Sequence, residues 1–227
     1  MNPAEALGLL CRGCLGILAG DAEAGLCGRC WAGLTSLPEG RCPRCALVHG
    51  EDRECSGPLA WELGDALWDY HGGRPALGAL LVPGIKAGEW GWRTALLRRL
   101  GATRLPEFAR EADVVTAVPT AAWKRWLRGG DLAEESAAAM GTLLARPFMR
   151  LLTRAWHRPG QTGRPESTRR RLPRKAFRLN ANDGLKGACV LLVDDVWTTG
   201  TSLLRCAERL KEGGAAEVRV LTLFRAL

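Results

Sequence analysis

Long apolar runs are missing from this chain. No stretch reaches the roughly 18 consecutive apolar residues that a membrane-spanning helix needs, although hydrophobic residues make up 47% of the 227. The first twenty residues lack a basic leader, carry Glu5 and are interrupted by Cys11, Arg12 and Cys14. No membrane contact is expected, and the chain reads as cytoplasmic. A GxxxxGK(S/T) loop is also missing, which argues against the P-loop nucleotide hydrolases. There is no low-complexity linker and no internal repeat apart from spaced CxxC pairs. Acids are scarce in one segment. Between Arg146 and Arg178 stand ten Arg and one Lys against Glu166 alone, a local charge of +10 in a chain whose total is +8. The basicity therefore belongs to that segment, and such a patch suits a polyanion.

Cysteine is abundant but unevenly placed. Seven of nine fall between residues 11 and 55, while Cys189 and Cys206 stand apart and read as small buried hydrophobes. Cys11-x2-Cys14 and Cys27-x2-Cys30 are two knuckles that together supply four thiolates, the donor set of a closed structural zinc site. A second site would use Cys42, Cys45 and Cys55, with His49 as a candidate fourth ligand. One zinc ion or two both fit this spacing. Residues 1–58 are thus expected to form a cysteine-rich zinc-binding domain, resembling a zinc ribbon, ahead of a second domain over 59–227.

The second domain alternates in the α/β manner. After a mixed region from Trp61 to Leu105, which ends in a helix from about Trp92, "DVVTAVP" (113–119) reads as a strand stopped by Pro119. "DLAEESAAAMGTLLA" (131–145) reads as a helix capped by Asp131. "ACVLLVDD" is a buried strand, "TSLLRCAERLKEGG" an amphipathic helix closing at Gly213, and "EVRVLTLF" (217–224) a further strand. This order predicts a parallel sheet with flanking helices.

At the end of the buried strand, Asp194 and Asp195 stand side by side, a costly arrangement unless a ligand uses it. Thr198, Thr199, Gly200 and Thr201 then lead into a helix. Gly200 lets backbone approach a ligand, the hydroxyls donate hydrogen bonds, and the helix start favours an anion. The pair of carboxylates can accept from vicinal sugar hydroxyls. Together they describe a site for a phosphorylated ribose.

"VLLVDDVWTTGTSL" (190–203) resembles the phosphoribosyl-pyrophosphate motif of type I phosphoribosyltransferases. The wider order is the paired cysteines, "GIKAG", "VPTAAWKRWLRGGDLAEESA", Gln161 and the Arg169–Arg171 run, then the motif. That order resembles the ComF family of competence-associated proteins over nearly the whole chain. The resemblance implies a type I phosphoribosyltransferase-like α/β domain behind a zinc finger, linked to DNA uptake in natural transformation. It implies that Asp194 and Asp195 hold the ribose hydroxyls, that Thr198–Thr201 hold the 5-phosphate, and that Mg²⁺ accompanies the ligand. Lys86, Lys124, Arg125 and Arg128 are the candidate pyrophosphate donors. Other competence proteins are candidate partners. The chain departs from the family at Trp197, where a smaller residue is usual and a narrower loop is expected. It departs again at Arg128-Gly129-Gly130-Asp131, where the family has Arg-Gly-aromatic-Asn, and at Arg158, where it has Thr.

Arg146, Arg150, Arg154 and Arg158 recur every four residues and would form one stripe if residues 147–158 were helical. With Arg169, Arg170 and Arg171 they are the candidate contacts for single-stranded DNA, and Trp156 and His157 offer rings for base stacking. Three functions are open: a ComF-type protein binding single-stranded DNA and phosphoribosyl pyrophosphate, an active phosphoribosyltransferase on a nucleobase-like acceptor, or a non-catalytic adaptor. No residue stands out in the sequence as a general base.

Overall fold

The computed structural model describes residues 9–20, 22–49, 55, 59–154, 173–180 and 185–226. Its centre is a four-stranded parallel sheet built from β1 (Leu63–Asp69), β2 (Val114–Ala117), β5 (Cys189–Trp197) and β6 (Glu217–Arg225), in the order β1-β6-β5-β2. A parallel sheet covered on both faces needs apolar residues in both phases of the strand. β5 supplies them: Leu191 and Val193 join one apolar cluster, and Val190 and Leu192 join the other. The first cluster packs α2 (Leu77–Lys86), α3 (Trp90–Ala102) and α6 (Leu132–Leu144) on the sheet. The second packs α7 (Thr201–Glu212) through Leu203, Cys206, Ala207 and Leu210. Among the described residues no helix is long and apolar enough to cross a membrane.

α6 starts and stops as its sequence dictates. The Asp131 carboxylate accepts from Ala133 N at 3.2 Å, and Ala145 ends the helix in the left-handed region at φ 53°. β1 was hidden in the mixed region, because Asp65 interrupts its apolar pattern. Arg41 neutralises that carboxylate with two hydrogen bonds, of 2.7 and 2.6 Å. The outer edge of β1 is closed by the cysteine-rich segment, where Gly64 N donates to Pro43 O at 2.8 Å and Asp69 N to Thr35 O at 2.9 Å. An open edge strand is thereby avoided.

The same segment contributes to both cores. Cys11, Leu26, Cys30 and Trp31 lie with α2 and α3, whereas Leu37, Cys45 and Ala46 lie with Trp61 and Trp197 on the opposite face. A short helix, α1 (Gly28–Ala32), carries Cys30 and Trp31 into the first core. The expected boundary at residue 58 falls among 56–58, outside the described residues.

The arginine stripe is corrected. Residues 147–154 are not helical. Pro147 and Met149 hydrogen-bond along β2, with Val115 N to Pro147 O and Met149 N to Val115 O both 2.9 Å. Leu152–Arg154 then forms β3, antiparallel to β4 (Phe177–Leu179). The spacing of four had suggested a helix, but the left-handed Ala145 and the proline two residues later break it. Arg146 reaches Arg110 O, Arg150 is paired with Glu134, and Arg154 lies 5.4 Å from the Phe177 ring centre. Arg158, Arg169, Arg170 and Arg171, with Trp156 and His157, lie outside the described residues.

Candidate functional site

β5 runs on past its apolar residues, through Asp194 and Asp195, to Trp197, so the two acids lie inside the last part of the strand. Asp195 N donates to Asp194 Oδ1 at 2.8 Å. Lys86, the last residue of α2, places its Nζ 2.6 Å from Asp195 Oδ2. "GIKAG" and the acid pair, more than a hundred residues apart in the chain, therefore meet at one point. Among the described residues, Asp194 has no such cation within ion-pair distance. Burial, and next the charge of Asp195, push its carboxyl well above the usual carboxylate range.

The loop after β5 is a shaped turn. Gly200 takes φ 74°, and a Cβ there would meet Trp197 Nε1 at 2.8 Å. Thr198 and Thr199 are exposed, and the Thr199 and Thr201 hydroxyls lie 3.0 Å apart. α7 starts at Thr201, so its first backbone N–H groups, which have no partner within the helix, face the loop. Trp197 was expected to narrow the loop, but its ring is buried beneath it, edge-on to Trp61 at 5.4 Å.

Arg225, at the end of β6, holds the loop from below. Its Nη1 donates to Trp197 O at 2.7 Å, Thr198 O at 2.8 Å and Ala226 O at 2.8 Å, and its Nε to Cys45 O at 3.3 Å. The side chain is buried, with the guanidinium 4.8 Å from the Trp197 ring centre. Sequence reading missed Arg225. The one signal was a cation closing the largely apolar run 220–224.

Two recesses meet at Asp131. One is lined by Lys86, Arg93, Thr120, Arg128, Asp131 and Asp195, the other by Thr120, Arg125, Asp131, Glu134, Arg150 and Arg154. Burial raises the Asp131 carboxyl above its ordinary value, opposed by hydrogen bonds from Thr120, whose N lies 3.2 Å away. Of the four expected pyrophosphate donors, Lys86 is paired with Asp195 and Arg125 with Glu134 at 3.1 Å. Lys124 and Arg128 have no acidic partner among the described residues. Burial, then the charges of Arg128, Arg154 and Lys86, pull the Lys124 ammonium down. The departure at Gly130, where the family has an aromatic residue, has a steric reason. The Trp90 ring packs against Gly129, and a Cβ on Gly130 would strike the Arg93–Glu135 ion pair.

The cysteines form two four-donor clusters, Cys11/Cys14/Cys27/Cys30 and Cys42/Cys45/His49/Cys55, with the donor atoms of each within 4.8 Å of one another. In the first, Cys11 and Cys30 sulfurs are 3.5 Å apart, and Cys14 and Cys27 sulfurs 3.8 Å. Thiolates about 2.3 Å from a zinc ion stand about 3.8 Å from each other. Burial disfavours the Cys11 thiolate, yet N–H donors from Cys27, Cys14 and Gly13 outweigh it and lower its pKa to about 6. In the second, His49 Nε2 lies 2.9 Å from Cys45 Sγ and 3.6 Å from Cys55 Sγ, which supplies the missing fourth donor. Both clusters can hold a metal ion.

The profile described as "Phosphoribosyl transferase domain" matches residues 98–227, more than half of the chain. The DNA utilization protein YhgH of Salmonella typhi is 29% identical over 205 residues, covering 82% of this chain and 84% of the relative. That of Escherichia coli O157:H7 is 29% identical over 206 residues with the same coverage. Among solved structures, the allosteric regulatory enzyme of purine biosynthesis is 24% identical over 57% of this chain, with a TM-score of 0.39, and the match spans 25% of that protein. A purine phosphoribosyltransferase from Pyrococcus horikoshii Ot3 is 18% identical over 60% of this chain and 84% of that one, with a TM-score of 0.36. The chain belongs to the phosphoribosyl transferase domain family, in the ComF form that sets a cysteine-rich, metal-competent segment ahead of the family domain.

Proposed function

We propose that this protein is a cytoplasmic component of DNA uptake that binds phosphoribosyl pyrophosphate at the β5–α7 turn and handles single-stranded DNA. The observation that carries the ligand reading is the Lys86–Asp195 pair beside Asp194 and the Thr198–Thr201 loop. A phosphoribosyl pyrophosphate molecule offers replacement partners for both sides of that pair. Its ribose hydroxyls donate to Asp194 and Asp195, and its pyrophosphate takes the Lys86 ammonium, with Lys124 and Arg128 as further cations. The 5-phosphate sits against the loop and the first N–H groups of α7. Mg²⁺ would enter with the ligand on its pyrophosphate oxygens.

The names of the relatives support the DNA reading, and the basic segment supplies the counter-charge for a strand of phosphates. Zinc is the metal that suits a four-thiolate and a three-thiolate-plus-imidazole set, and closed sets of this kind are structural. A transferase reading is favoured by one feature, the recess beside Asp131 that adjoins the ribose site and has room for an acceptor. There the chain's part would be to position the acceptor and stabilise the departing pyrophosphate.

The test is calorimetric titration with phosphoribosyl pyrophosphate and with ribose 5-phosphate, followed by a pyrophosphate-release screen across nucleobases. Binding of both ligands, weakened by Asp195→Asn, supports the site. Release with any base establishes the transferase reading, and binding without release leaves the non-catalytic one.

A further inference from the structure

Tryptophan is sorted sharply in this molecule. Trp31, Trp61, Trp68, Trp92 and Trp197 are buried, while Trp90, Trp123 and Trp126 are left in water around one spot. Trp123 and Trp126 lie on α5 (Ala122–Leu127), a six-residue helix with no buried residue. Trp126 is 85% exposed, Leu127 71% and Trp123 43%. Positions three apart on a helix share a side, so the two rings form one surface. Trp90 extends it, since its ring packs on Gly129, whose N–H is bonded to Trp126 O at 3.2 Å. The Trp90 ring is covered on one side by the Arg93 guanidinium at 3.8 Å, but the rings of Trp123 and Trp126 stand on a helix with no buried residue. Large rings left so exposed are costly for the fold.

The unpaired charges around them are of one sign, since Arg93 and Arg125 are held by Glu135 and Glu134. Lys124, Arg128 and Arg154 have no acidic partner among the described residues, and the Lys124 ammonium lies 5.4 Å from the Trp123 ring centre. Arg128 also lines the recess that holds Lys86 and Asp195, so the aromatic surface borders the ribose site. Rings with a base-tolerant face, alternating with unpaired cations, are the parts of a site for single-stranded nucleic acid. A membrane-surface helix instead buries an apolar stripe over several turns, and six residues make fewer than two.

We infer that α5, with Trp123 and Trp126, is a base-stacking platform that leads a single strand of nucleic acid past the phosphoribosyl site. This rests on the proposed DNA-handling reading and gives it a location. It moves the principal interaction from the helical arginine stripe, which does not form, to an aromatic helix on the other side of the Asp131 recesses.

The probe is a fluorescent oligothymidylate, titrated at several salt concentrations against wild type, Trp123→Ala/Trp126→Ala and Lys124→Gln/Arg128→Gln. All three should melt alike, because every altered residue is at least partly exposed. Removing the rings should weaken binding by about fivefold or more for each base stacked. It should leave the slope of log affinity against log salt unchanged, since the cations that meet the phosphates remain. The ring variant should still bind phosphoribosyl pyrophosphate. Removing the cations should flatten the slope by up to about 1.4, at about 0.7 for each phosphate no longer neutralised. Wild-type affinity in the ring variant overturns the platform and leaves DNA handling standing. No oligonucleotide binding by the wild type, even at low salt, removes both. Binding to anionic lipid vesicles that needs the rings, with oligonucleotide affinity untouched, assigns the surface to a membrane and overturns the proposal.

Discussion

The two cysteine clusters begin from the same local structure and end in different surroundings. In each, the first cysteine N–H reaches five residues ahead, Cys11 to Gly16 O and Cys42 to Leu47 O, both at 2.8 Å. Each knuckle closes on a left-handed residue, Leu15 at φ 60° and Ala46 at φ 57°. The first cluster then packs on α3. Trp92 Nε1 donates to Ala24 O at 2.8 Å, Arg12 pairs with Glu89 at 2.7 Å, and Arg98 and Arg99 both hold Glu23. The second cluster faces the ligand loop. Cys45 O accepts from Arg225, and Arg44 O accepts from Trp61, whose ring abuts Trp197. One repeated motif thus props a helix on one face of the sheet and the phosphate loop on the other.

The largest effect should come from the first cluster. Its Cys11 and Cys30 belong to the same core as α2, α3 and the sheet, so Cys30→Ser should lower the stability of the whole chain and not of the first 58 residues alone. Thermal melts followed by circular dichroism should show one transition moved far down or abolished, as when a structural metal is withdrawn. A normal melt of the remainder would break the comparison by making the segment independent.

Arg225 gives the next effect and separates the two regions. Arg225→Leu removes the charged donor shared by the carbonyls of Cys45, Trp197 and Thr198, although Trp197 O keeps Ala226 N at 3.0 Å. A hydrogen bond to a charged group contributes about 1.5–3 kcal/mol, and its loss should weaken phosphoribosyl pyrophosphate binding. Arg12→Ala removes an exposed pair worth about 0–1 kcal/mol and should leave ligand affinity alone. Removing the metal from the second cluster should resemble Arg225→Leu in its effect on affinity. Equal ligand affinity in the Arg225 and Arg12 variants would show that the loop does not depend on the second cluster.

The pH dependences should run in opposite directions. Arg12 holds Glu89 below the usual carboxylate range. That stabilisation is present above the unfolded-chain value and is lost as pH falls through the native one. Asp194 is raised by burial and by Asp195. Its contribution is full below the unfolded-chain value and is lost as pH rises through the native one. Urea midpoints from about pH 3 to about pH 8 should show Glu89→Gln flattening the acid limb and Asp194→Asn flattening the decline toward neutral pH. Both variants altering the same limb would contradict this reading. The smallest effect belongs to the knuckles. Leu15→Gly relieves a left-handed residue whose side chain is exposed and should stabilise the chain by up to about 1 kcal/mol. Ala46→Gly gains the same relief but loses a buried methyl of about 0.8 kcal/mol and should be near neutral.

What could be read from the sequence was what depends on neighbours in the chain. β5, α7 and β6 are apolar patterns bounded by turn residues, and the Asp131 cap and the CxxC knuckles are local. His49 could be named as a fourth donor because it lies within the second cluster's own segment. What failed depended on distant partners. β1 needed Arg41 to neutralise Asp65, and Arg225 acquires its role only when β6 is placed beside β5 and the Cys42–Cys45 knuckle. The arginine stripe failed for a different reason. A period of four was read without weighing Pro147, and the extended pairing of 147–149 along β2 took those residues instead. The rings of α5 carry no sequence signal of their own, because nothing in residues 122–127 distinguishes an exposed tryptophan from a buried one.

The account stands on the acid pair at the end of β5. Calorimetric titration of phosphoribosyl pyrophosphate into wild type and into an Asp194→Asn/Asp195→Asn double variant, at equal pH and Mg²⁺, tests it most directly. The predicted result is a saturable one-to-one heat in the wild type and at least about tenfold weaker binding in the variant, a loss of about 1.4 kcal/mol or more, with stability unchanged or raised because repulsion within the pair is relieved. Equal affinity in the two proteins would contradict it.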